Sequence, residues 1–142
     1  MSENCEIYTT LGPGHESSTV HVSLYPYKQA GKKIAVGGNL GTPFIALLEQ
    51  DPVDYFVLEI STFQLEGIKT FRPSIAIILN ITPDHLDRHK TLEEYVDLKG
   101  RISAFQNDGD ILVLNKDDEN VMKQGKRSKA KNAAKKYKDS KK

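Results

Sequence analysis

The sequence is poor in the features that mark secreted or membrane proteins. It holds one cysteine, Cys5, so no disulfide framework can form within the chain, which is compatible with a reducing, cytoplasmic setting. No apolar run approaches the ~20 residues of a membrane-spanning helix, so no membrane partner is expected. The first residues, MSENCEIYTT, lack a basic stretch followed by an apolar one, and no secretory signal is expected either. What remains is a chain of 142 residues, 38% hydrophobic and 27% charged, a size and composition that suit one soluble domain around one core. The net charge of +1 hides an asymmetry. Residues 1–120 carry 10 Lys/Arg against 18 Asp/Glu, whereas residues 121–142 carry 10 Lys/Arg against Asp139 alone. The stretch from Met122, MKQGKRSKAKNAAKKYKDSKK, has almost no apolar side chains and reads as a disordered or loosely helical basic tail. Nonspecific binding of nucleic acid or another polyanion is its alternative reading, although Tyr137 alone gives no aromatic interleaving.

Between residues 32 and 116, apolar runs alternate with segments of helical pattern. Ile34–Val36 closes on Gly37-Gly38-Asn39, Tyr55–Leu58 on Glu59, Ile75–Leu79 on Asn80, and Ile111–Leu114 on Asn115. Continuous runs of this kind suit strands covered on both faces. Residues 43–50 suit a short helix, and Thr91–Gln106 a longer one opened by the capping-box sequence Thr91-Leu92-Glu93-Glu94. Together with the β-rich stretch Ile7–Thr10, this predicts an α/β fold. Its parallel sheet of about five strands has flanking helices, a three-layer arrangement of the P-loop kind. The expected organisation is an altered phosphate-loop region over 1–30, a core over 31–121 and the basic tail over 122–142. In such a sheet the polar residues that follow the runs gather at the carboxyl edge, where ligands bind.

Three residues carry possible chemistry. Glu59 ends a strongly apolar strand, where a carboxylate needs a cap, an ion pair or a metal ion. His85 lies in a loop between Asp84 and Asp87 and reads as a surface residue or a ligand. Lys99 stands seven residues after Leu92, four after Tyr95 and three after Val96, in a stripe continued by Ile102 and Phe105. It either snorkels to the surface or is a desolvated amine free to react. Ahead of them, GPGHESST (Gly12–Thr19) follows a strand-like stretch and supplies the glycines and hydroxyls of a phosphate loop.

The segments KKIAVGGNLGTP, LEISTFQLEG, ILNITPDHLDRH, YVDLKGRI and LVLNKDDENV occur in order between Gly31 and Val121. Together they resemble the central domain of the Mur ligases, most of all the branch that uses D-glutamate. The resemblance implies an ATP-dependent ligase of peptidoglycan precursor synthesis. In that family a UDP-muramoyl carboxylate is activated by phosphoryl transfer from ATP, and the amine of an amino acid attacks the acyl phosphate. It implies Glu59, His85 and Lys99 as the catalytic set. Glu59 and His85 would hold magnesium ions, and Lys99 would carry carbon dioxide as a carbamate that serves as an anionic metal partner. Gly12, Ser17 and Ser18 match nucleotide-binding positions, with the Ser17 hydroxyl on magnesium. Asn39, Ser61 and Gln64 match positions near the muramoyl substrate.

Two departures stand out. The family's phosphate loop reads Gly-Thr-Asn-Gly-Lys-Ser/Thr-Thr, and an ungapped count back from Ala30-Gly31 puts His15 at its second glycine and Glu16 at its lysine. The His15 Cβ obstructs backbone approach to phosphate, and Glu16 reverses the charge beside it. After Val121 the likeness gives way to the lysine-rich tail. The family's flanking domains, which bind the UDP group and complete the ATP and amino-acid sites, have no counterpart here. The chain is therefore expected to be inactive alone, with a non-catalytic α/β remnant or scaffold as the alternative.

Overall fold

The computed structural model describes residues 29–39, 41–81 and 91–131 with their side chains, and the backbone of residues 5–9 and 132–135. Six strands form one sheet: β1 (Cys5–Thr9), β2 (Ile34–Gly38), β3 (Tyr55–Glu59), β4 (Ile75–Ile78), β5 (Ile111–Asn115) and β6 (Lys131–Lys135). Their order is β2-β3-β1-β4-β5-β6, and every pair is parallel. The apolar runs read as strands in the sequence are therefore strands, and their polar ends share one edge. The chain runs from β1 out to β2 and β3 on one side and then to β4, β5 and β6 on the other. The order reverses at β1, and the carboxyl end of such a strand opens on the crevice where α/β sheets bind ligands.

Among the described residues four helices accompany the sheet: α1 (Phe44–Leu47), α2 (Thr62–Glu66), α3 (Leu92–Gly100), which tightens into a 3-10 turn over Arg101–Ser103, and α4 (Glu119–Arg127). Thr91 starts α3 by accepting the Glu94 N–H at 3.1 Å. Leu58, Leu65, Ala76, Ile78, Tyr95, Val96, Ile102, Leu112, Leu114 and Val121 join β3, β4, β5 and helices α2, α3 and α4 in a single buried cluster. Ala76, Ile78, Leu112 and Leu114 are at most 1% exposed, while Ile75, Ile77 and Val113 beside them are half-buried. Coverage of β4 and β5 thus alternates, where covered faces on both sides were expected. Leu92 and Phe105, assigned to the buried stripe of α3 by spacing, are exposed. Leu92 opens the helix and Phe105 lies past its 3-10 turn, since the helix expected to run to Gln106 ends earlier.

The sheet's amino edge is tied by ion pairs and backbone bonds. Arg72 grips Asp110 with Nε to Oδ2 at 2.7 Å and Nη2 to Oδ1 at 3.2 Å, and the Asn107 N–H adds a third bond at 2.8 Å. Burial alone would raise the Asp110 pKa, but the Arg72 fork and the Asn107 N–H outweigh it and hold the carboxyl below its ordinary range. Buried Gln106 spans the Pro73 and Ile111 carbonyls, at 2.9 and 3.1 Å, and so locks the entrances of β4 and β5 together. At the other side the Lys33 N–H donates to Asp54 at 2.8 Å, and this bond first, with Lys32, depresses the Asp54 carboxyl.

Two expectations are corrected. Among the described residues the strands number six where about five were expected, and the tail assigned to 122–142 contributes the extra one. Glu119–Arg127 is helical and Lys131–Lys135 pairs with β5 in register from Ile111↔Lys131 to Asn115↔Lys135. The compositional reading failed because α4 needs few apolar residues: Val121 is fully buried, Gln124 and Ala130 are nearly so, and the cationic side chains around them stay in water. An edge strand rich in lysine is also a usual way to guard an exposed sheet edge.

Candidate active site

Glu59 closes β3 and its Oε2 is withdrawn from solvent. Its backbone is clamped by the turn after β2. The Asn39 N–H donates to the Glu59 carbonyl at 2.8 Å, and the Gly38 N–H donates to Thr42 O at 2.9 Å. Gly38 has φ +117° and pairs with Glu59, and a Cβ there would strike the Glu59 carbonyl oxygen. The glycine pair of GGNLGTP is thus a close-approach device that brings β2 hard against the peptide carrying the carboxylate. Asn39 itself is exposed at the same edge.

Ser61 and Gln64, expected beside the muramoyl substrate, form a reciprocal cap on α2. The Gln64 N–H reaches Ser61 Oγ at 3.3 Å, and Gln64 Oε1 accepts from the Ser61 N–H at 2.9 Å. Ser-x-x-Gln before a helix is the sequence signature of that box, a signal the family likeness had overshadowed. The cap fixes α2 directly after Glu59, so these side chains hold the start of the edge whatever else they touch.

Lys99 occupies the last turn of α3 and is 1% exposed, the largest of the fully buried side chains among the described residues. Its Nζ lies 4.5 Å from the centroid of the Tyr95 ring one turn earlier. The choice left open by the sequence is settled against snorkelling: the side chain turns inward.

On the other side of β1, β4 leads to Asn80 and Ile81, and Asp118 follows β5. Asn80 Oδ1 is buried without a hydrogen-bond partner among the described residues. Asp118 stands within LVLNKDDENV, a segment whose local pattern carried no sign of a role for it. His85, Gly12, Ser17 and Ser18 lie outside the described residues. Of the four expected metal positions, Glu59 and Lys99 are described, and among the described residues no three His, Cys, Asp or Glu side chains converge.

A six-stranded parallel sheet among the described residues, whose order reverses at β1 and whose carboxyl edge carries a carboxylate, an amide and an acidic cap, defines an α/β protein of the doubly wound kind. The profile of the Mur ligase middle domain matches residues 10–142, and the chain belongs to this family. The match runs through residues 122–142, where the sequence likeness had been expected to end. The UDP-N-acetylmuramoylalanine–D-glutamate ligase of Caldanaerobacter subterraneus subsp. tengcongensis is 48% identical over 126 residues, 88% of this chain and 28% of that protein. The ligase of the same name from Koribacter versatilis is 51% identical over 125 residues, 87% of this chain and 28% of its own. A solved UDP-N-acetylmuramoyl-L-alanyl-D-glutamate–2,6-diaminopimelate ligase superposes with a TM-score of 0.62 over 96% of this chain and 32% of that one, at 22% identity. The fold is common to both. The chain spans under a third of the length of these relatives.

Proposed function

We propose that this chain is the central portion of an ATP-dependent amide ligase that joins D-glutamate to UDP-N-acetylmuramoyl-L-alanine in the cytoplasm, and that it is inactive alone. The observation that carries the reading is the inward burial of Lys99 in YVDLKG. A lysine is among the residues least often buried, and desolvation disfavours its ammonium form. The unprotonated amine is the form that takes up carbon dioxide. The carbamate would add an anion to the Glu59 carboxylate at a site completed by His85 and Ser17. The oxygen donors suit magnesium, and the His85 imidazole would be its one nitrogen ligand. When bound, the ion supplies charge neutralisation on the phosphates of ATP. The chain's own contribution is positional: Gly38 and Asn39 fix the Glu59 peptide, and the Ser61–Gln64 cap fixes the helix behind it.

A second reading, a non-catalytic remnant that keeps the fold, is favoured by His15 and Glu16 in the phosphate loop. Unit charges ~4 Å apart at an effective dielectric near 20 interact by about 4 kcal/mol, so exchanging a lysine for Glu16 costs several powers of ten in affinity. Calorimetry with ATP and magnesium on the chain and on a His15→Gly, Glu16→Lys double variant separates the readings. Binding gained by the variant alone supports a ligase domain with a disabled loop. Micromolar binding by the unmodified chain refutes the argument about the loop, and no binding by either supports the remnant.

A further inference from the structure

Asp118 uses its two carboxylate oxygens on two different elements. Oδ1 accepts the N–H groups of Asn120 at 2.9 Å and Val121 at 3.0 Å and so caps α4. Oδ2 accepts the N–H of Ile81 at 2.9 Å, 37 positions away, where the chain leaves β4. A helix cap needs only one oxygen. The second makes a charge-assisted bond to a loop backbone, and Ile81 is held there at 3% exposure. The residue before it is Asn80, whose buried amide oxygen has no hydrogen-bond partner among the described residues. A buried acceptor without a donor is costly, and the cost is recovered when a ligand brings one. β4 adjoins β1, and β1 adjoins β3, so this acceptor stands on the opposite flank of the crevice from Glu59.

We infer that Asp118 is a positioning residue: through Ile81 it fixes Asn80 at the carboxyl edge, where the amide oxygen accepts from a donor brought by the bound ligand, a metal-held water. This rests on the reading of the edge as a magnesium–nucleotide site. Asp118→Ser separates the two duties, because serine caps a helix about as well as aspartate but has no second oxygen for Ile81.

The test uses the whole chain and two readouts. Amide hydrogen exchange followed by NMR should show the Ile81 N–H exchanging about ten- to a hundredfold faster in Asp118→Ser, with protection of Asn120 and Val121 retained. Manganese titrated by electron paramagnetic resonance should bind about tenfold more weakly to Asp118→Ser and to Asn80→Ala, the size of effect seen for residues behind metal ligands. Glu59→Gln is the control on the site itself and should lose manganese binding. Unchanged exchange at Ile81, or protection lost equally along α4, overturns the inference and leaves Asp118 a plain helix cap. Manganese affinity that falls in Glu59→Gln but not in Asp118→Ser or Asn80→Ala overturns the positioning role while the site stands. Absence of Glu59-dependent manganese binding overturns the reading of the edge, and the functional half of the inference falls with it.

Discussion

Replacing Gly38 by alanine tests how the edge is built, and its cost divides into two parts. The first is conformational. At φ +117° an alanine backbone is strained by about 1–3 kcal/mol, offset by about 0.4–1 kcal/mol because alanine has less freedom to lose on folding. The second is steric. The new Cβ would sit inside the contact envelope of the Glu59 carbonyl oxygen, 3.0 Å from its nitrogen and 3.1 Å from its carbon. Those are backbone atoms of a strand paired on both sides, to β2 and to β1, so no flexible side-chain end can yield. Overpacking of this kind costs about 1–3 kcal/mol. Gly41→Ala isolates the first part, since Gly41 has φ +74° and a Cβ added there would meet nothing within 4 Å. Gly38→Ala should therefore be less stable than Gly41→Ala by about 2 kcal/mol. At about 4 °C per kcal/mol for a domain of this size, the two melting midpoints should differ by about 8 °C in thermal unfolding followed by circular dichroism. Equal midpoints would refute the close-approach account of GGNLGTP. The same shift should displace the Glu59 peptide, so that Gly38→Ala loses metal affinity beyond its loss of stability.

Two further outcomes follow from charges away from that turn. Asp110 has its folded pKa lowered, so its contribution is present above the unfolded value near ~3.9 and is lost as pH falls through the lower folded value. Arg72→Ala, which removes a half-exposed partner from a buried carboxylate, should cost about 1–3 kcal/mol at pH 7. Urea unfolding should show that gap narrowing below pH ~4, and an undiminished gap at pH ~3 would count against the pair. Lys99 should carry no carbamate in the isolated chain without nucleotide and magnesium, and a stoichiometric carbonyl NMR signal after exposure to labelled carbon dioxide would overturn that expectation.

The strands were legible because their apolar runs are continuous and each stops at a polar residue. Val57 and Leu58 of β3 face opposite sides and are both buried, which such a run demands. Lys99 was legible from phase alone, three and four residues after Val96 and Tyr95. Asp118 was not, because its partner Ile81 is 37 residues distant and no local pattern joins a β5 exit to a β4 exit. Ser61 and Gln64 carried a local signature, but the likeness to a family drew attention to substrate and away from the cap. The tail was misread for the opposite reason: composition averages over a segment, while one fully buried Val121 and a nearly buried Gln124 decide how α4 packs. Gly100 lets that packing close, since a Cβ there would collide with the Gln124 side chain.

The residues that make the fold and those that would handle phosphate are separable in this chain. The buried cluster runs from Ala35 to Ala130, and most of its members are the inward residues of strands and helices, with Ile60, Ile81 and Ala130 in the adjoining connections. The polar groups of the edge sit at the ends of those strands, just beyond them, or at helix caps: Asn39, Glu59, Asn80 and Asp118. Substituting a cap or a loop residue changes the field at the crevice without emptying a cavity in the core, so His15 and Glu16 can alter phosphate binding while the apolar pattern that specifies the sheet is untouched. The likeness to full-length ligases therefore speaks to the sheet and its edge. The proposed loss of nucleotide binding rests on His15 and Glu16, and exchanging them for glycine and lysine is a chemical change of two side chains that leaves the apolar pattern of the sequence as it is.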